Sequence, residues 1–92
     1  YGVYQMGFNA REWAMKWLKG SIIGYMRGEI TLSNLLGRVK RCLTSYGVTL
    51  PDVMGLLDTV VRDPALNLGS PVERRRKLDP LLRSLDELAK GA

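Results

Sequence analysis

Apolar residues recur three and four positions apart from Leu32 to Tyr46, and that spacing decides the fold class. Leu32, Leu35, Leu36, Val39, Cys42, Leu43 and Tyr46 fall within about one third of a wheel advanced by ~100° per residue. A half-buried strand would instead alternate residue by residue, and no segment of the chain does so convincingly. Tyr1 to Phe8 comes nearest, but Gly2 and Gly7 interrupt it. That stretch reads as an extended N-terminal arm.

The same period recurs on both sides of the central segment. A first helix is expected from about Ala10 to Arg27, with Asn9 as its N-cap. Its apolar arc, including Trp13, Ala14, Trp17, Leu18 and Ile22, covers more than half the circumference. Such a helix is either central to the fold or partly covered by a partner. Gly20 and Gly24 weaken it by about 1 kcal/mol each relative to Ala, and leave a smooth strip where another helix can approach. Gly28 ends it, and Thr31 or Ser33 caps the second helix. Gly47 closes that helix, with Val48 packing back on its last turn.

Thr49 caps a third helix with Pro51 in its first turn. Its apolar face comprises Leu50, Val53, Leu56, Leu57, Val60 and Val61, and Asp63-Pro64 stops it. Ser70-Pro71-Val72-Glu73 is a capping box with proline at the first helical position. Within the helix it starts, Pro80 lacks the N–H that would reach Arg76 and crowds that carbonyl. Asp79 is itself a good N-cap, so a break or kink is expected there. The expectation is one all-α domain over 1–92: a compact bundle of four to five short helices, no β-sheet, and an arm over about 1–8.

The residue types narrow the chemistry. There is no histidine, which removes the commonest general base and metal ligand. The one cysteine, Cys42, lies inside the apolar stripe of the second helix and reads as a small buried hydrophobe. A single cysteine also allows no internal disulfide and favours a reducing intracellular compartment. The ten glycines are scattered, without the spacing of a phosphate-binding loop. No enzyme activity, metal or cofactor is expected, and no apolar run is long enough to span a membrane.

Fourteen Lys and Arg against nine Asp and Glu give a formal charge of +5. That excess favours an acidic partner, nucleic acid or protein. Arg74-Arg75-Arg76-Lys77 is the densest basic run, and Arg38, Lys40 and Arg41 form a second. On an intact helix four consecutive cations fan around the axis; a helix frayed before Asp79-Pro80 would let them face one partner.

Ser45 to Val53 resembles the turn of a helix-turn-helix motif, with Gly47 in the turn and apolar Val48 and Val53 after it. The outward positions of the next helix are Asp52, Gly55, Asp58, Thr59 and Arg62. Two carboxylates there would repel phosphates, so the stretch reads as a helical corner.

Aromatic residues crowd the N-terminus: Tyr1, Tyr4, Phe8, Trp13, Trp17 and Tyr25 are six of the seven in the chain. A thin core does not easily hide them all, and Tyr and Trp dominate interface hot spots. Two functions therefore stay open. One is a module gripping the nucleic-acid backbone, independent of sequence, through Arg38, Lys40, Arg41 and Arg74 to Lys77. The other is an adaptor or small subunit docking on a protein through Tyr1, Tyr4, Phe8, Trp13 and Trp17, either as a homodimer or with an acidic partner.

Overall fold

The computed structural model describes residues 9–91. The expected arm, with Tyr1, Tyr4 and Phe8, lies outside the described residues. The chain forms α1 (Ala10–Met26), α2 (Leu32–Ser45), α3 (Leu50–Arg62) and α4 (Pro71–Gly91), with no strand among the described residues. It is an all-helical bundle, and none of its helices is long and apolar enough to cross a membrane.

Each helix starts where a short polar side chain can accept a backbone N–H. Asn9 Oδ1 takes the N–H of Glu12 at 3.1 Å, and Thr31 Oγ1 takes that of Asn34 at 3.1 Å. At α3 the arrangement is reciprocal: Thr49 Oγ1 accepts from Asp52 N at 3.2 Å, and Asp52 Oδ2 accepts from Thr49 N at 3.0 Å. Ser70 and Glu73 make the same box at α4. α1 ends in a Schellman motif, in which Gly28 at φ 79° lets Glu29 N reach the Gly24 carbonyl at 2.8 Å. Gly47, at φ 72°, turns the chain so that Val48 is buried as expected.

α1 is the central helix and packs against all three others. Leu18 and Ile22 of α1 meet Leu35, Val39 and Cys42 of α2, Val53 and Val60 of α3, and Leu78 and Leu81 of α4 in one fully buried core. Cys42 is buried there, and desolvation pushes its thiol pKa up. Of the face expected on α3, Val53, Leu57, Val60 and Val61 are buried, while Leu50 and Leu56 are half-buried.

The expected break at Asp79-Pro80 does not occur: α4 runs unbroken through Pro80. Leu78 lies just before the proline and Leu81 and Leu85 just after it, all three buried. Ending the helix at Asp79 would pull one group or the other out of the core. Tyr25 Oη of α1 also donates to the Lys77 carbonyl at 2.9 Å, which ties this stretch of α4 to α1, while the carbonyl that loses its donor to Pro80 is that of Arg76. Tertiary packing thus overrides a local penalty.

One surface contact ties the N-terminal ends of α1 and α3 together. Arg11 Nη2 lies 2.6 Å from Asp52 Oδ1, and Arg11 Nε donates to Oδ2 at 3.2 Å. The Arg11 guanidinium, with the backbone N–H of Thr49, lowers the Asp52 pKa from 3.8 to about 2. The carboxylate is therefore held more strongly in the folded state than in the unfolded chain. Its stabilisation is complete above the unfolded value and is lost as pH falls through the folded one. Urea midpoints measured against pH should fall between 3.8 and about 2, and Asp52→Asn should flatten that fall. An equally steep fall in the variant would assign the acid sensitivity to other carboxylates.

Candidate functional site

Trp13 and Trp17 stand one turn apart on α1, where i,i+4 side chains are neighbours. Their rings stack at 5.6 Å between centroids with 16° between planes. Tyr46, at the C-terminal end of α2, meets Trp13 edge-on at 5.7 Å and 70°. The three rings form a seam across the α1–α2 junction. Trp17 and Tyr46 are half-buried, while Trp13 keeps 48% of its surface exposed.

The seam is held in place by hydrogen bonds beneath it. Arg38 Nη1 of α2 donates to Ser21 Oγ at 2.8 Å, and Ser21 Oγ donates to the Trp17 carbonyl at 2.9 Å. This directs the Arg38 guanidinium over the Trp17 ring, 5.4 Å from its centroid. Exposed Lys16 lies one turn from Trp13 on α1, and exposed Arg41 one turn beyond Arg38 on α2. Gly20 is exposed as well, and a Cβ added there would meet nothing within 4 Å. No helix among the described residues occupies the smooth strip at that point. The seam offers ring surface and cations, which suit binding more than bond making.

Comparison with known proteins finds no matching family model, no matching curated protein and no matching solved structure.

Of the remaining cations, Arg75 and Arg76 line one surface trough with Arg62 and Asp79, whereas Lys40 lies apart from them. Arg74 leaves the set of candidate phosphate contacts, because it is buried at 5% exposure. Its Nη1 donates to the carbonyls of Val60 at 2.8 Å and Asp63 at 2.8 Å, and its Nε to Gly69 at 2.9 Å. Val61 and Leu66 carbonyls also accept from it. Arg75, Arg76 and Lys77 are exposed, without an ion pair among the described residues. Because α4 is unbroken, they fan by ~100° per residue. Arg75 flanks the α3–α4 trough beside Met54 and Asp58, while the Lys77 carbonyl faces α1. Lys40 projects between α2 and the far end of α4, near Ser84 and Leu88. Arg38 is committed to Ser21 and Trp17.

Sequence reasoning singled out Trp13 and Trp17 but not Tyr46 or the Ser21–Arg38 link. The tryptophan pair is visible as an i,i+4 repeat. Tyr46 looks like one more member of the α2 stripe until the antiparallel packing brings it onto Trp13.

Proposed function

We propose that this chain is a non-catalytic protein-interaction module that docks through the aromatic seam of α1 and α2. The observation that carries the reading is Trp13, nearly half exposed yet held by stacking with Trp17 and edge contact with Tyr46. An aromatic fixed before binding loses little conformational entropy on docking, which makes it a favourable anchor. Backbone contact with nucleic acid draws support from the net charge and from Arg75 and Arg76, which share a trough with Arg62. That trough also holds the carboxylate of Asp79, Arg62 is paired with Asp58, and Lys40 lies elsewhere. Base stacking on the seam is also disfavoured, because Trp17 has Trp13 on one side and Arg38 over its ring.

The test is a photo-crosslinking amino acid placed at Trp13 in the native host, with a second placement at exposed Thr59 on α3 as control. The expected product is a crosslinked protein species that survives nuclease and is missing from the Thr59 control. A crosslink only to nucleic acid, or equal capture from both positions, would sink the proposal.

A further inference from the structure

The charge of this protein is distributed unequally, and the excess falls on the half that carries the seam. Residues 1–46 hold seven Lys and Arg against only Glu12 and Glu29, a net +5; residues 47–92 hold seven of each sign and are neutral. The neutral half also pairs its charges locally: Asp58 with Arg62 at 3.0 Å, Asp79 with Arg83 at 3.2 Å and Asp86 with Lys90 at 3.0 Å. In the α1–α2 half the only ion pair among the described residues is that of Arg11, and it reaches across to Asp52. Lys16, one turn from Trp13, and Arg41, one turn from Arg38, are exposed and make no ion pair among the described residues.

We infer that the α1–α2 seam takes an acidic amphipathic helix from a partner protein. This rests on the protein-docking reading above and adds the chemistry of the ligand. Apolar side chains of such a helix would lie against the exposed ring of Trp13 and the open backbone strip at Gly20, where no Cβ intervenes. Its carboxylates would meet exposed Lys16, one turn from Trp13 on α1, and exposed Arg41, one turn from Arg38 on α2. Arg38, already hydrogen-bonded to Ser21, acts as a positioning residue by holding the Trp17 ring. A basic helix would bring its charge against a half already at net +5.

The experiment measures fluorescence anisotropy of labelled probes titrated with the full chain. The probes are a panel of synthetic amphipathic helices with Leu and Phe on one face and Glu on the other. The same peptides with Lys in place of Glu, and a single-stranded oligothymidylate, serve as comparisons. The acidic peptides should bind, the basic ones should not, and binding should weaken with salt. Lys16→Glu/Arg41→Glu and, separately, Trp13→Ala should each weaken binding by at least about tenfold, with circular dichroism unchanged. The inference is overturned if no acidic peptide binds. It is equally overturned if the charge reversal leaves affinity intact, or if the basic peptides or the oligonucleotide bind as well. If the crosslink from position 13 forms and survives the charge reversal while no acidic peptide binds, the docking face survives and only the acidic partner falls. If neither substitution matters, both proposals fall.

Discussion

Arg74→Met should lower the melting temperature by at least about 12 °C, taking ~3 kcal/mol of lost stability and ~4 °C per kcal/mol for a domain of this size. Arg74 is 5% exposed and has no carboxylate beside it. Its guanidinium lies instead among the carbonyls of Val60, Val61, Asp63, Leu66 and Gly69. The first three belong to the C-terminal end of α3, where the last carbonyls of any helix lack intrahelical partners and the dipole favours a cation. The other two belong to the connection between α3 and α4. One side chain thus caps α3 and fixes the loop that follows it. Methionine fills much of the same space but donates nothing, so the carbonyls lose charge-assisted bonds and those that stay buried lose their partner. Hydrogen bonds to a charged group contribute about 1.5–3 kcal/mol and a buried carbonyl left without a donor costs about 1–3 kcal/mol, so losing several together is expected to cost ~3 kcal/mol. Arg74→Lys should fall between the two, because an ammonium has three donors and no planar fork. Arg75→Met, at an exposed neighbouring position, should stay within about 0.5 kcal/mol of wild type. Thermal melts of the three variants check this, and equal effects at 74 and 75 would refute the capping role.

What the sequence discloses here is mostly what is local. Asn9, Thr31, Thr49 and Ser70 cap their helices through atoms no more than three residues away, so residue type and spacing suffice to locate them. Arg74 was legible by phase: it lies four residues before Leu78 and seven before Leu81, on the stripe that enters the core. Seen as one of four consecutive cations, it is mistaken for surface. Asp52 shows the same ambiguity. Counted as an outward carboxylate of α3, it suggests only that the helix is unsuited to phosphates. In the fold it closes the capping box and clamps Arg11 of α1. The seam required packing to be seen, because Trp13 and Tyr46 come from different helices. The charge excess of the first 46 residues could be counted from the start, but packing decides which of its cations stand free: Arg11 reaches Asp52 of α3 and Lys40 lies by the end of α4.

Pro80→Ala should stabilise the protein by about 2 kcal/mol, an unusual sign for a substitution inside a helix. Proline at a helix interior costs about 3 kcal/mol relative to alanine, through the lost N–H and the ring pressed against the carbonyl four residues back. Against this, proline restricts the unfolded chain, and its removal returns about 0.4–1 kcal/mol of entropy to that state. Pro80 is exposed, so its replacement opens no cavity in the core. The restored N–H of residue 80 would reach Arg76, while Tyr25 keeps its bond to the Lys77 carbonyl. The melting temperature should rise by roughly 8–16 °C on the same scale. The measurement also reports on the helix itself. If α4 broke at Asp79, as residue types alone suggest, Asp79 would be an N-cap with Pro80 at the first helical position, where proline is favoured. In that arrangement Pro80→Ala would be neutral or destabilising, and Asp79→Ala would cost about 1 kcal/mol through loss of the cap. With α4 continuous, Asp79 makes only an exposed ion pair with Arg83 at 3.2 Å, and its replacement should cost a few tenths of a kcal/mol at most. A stabilised Pro80→Ala beside a near-silent Asp79→Ala is the signature of the unbroken helix. It would also keep Arg75 and Arg76 beside Arg62 and Asp79 on the surface between α3 and α4, with Lys77 turned a further ~100° around the helix.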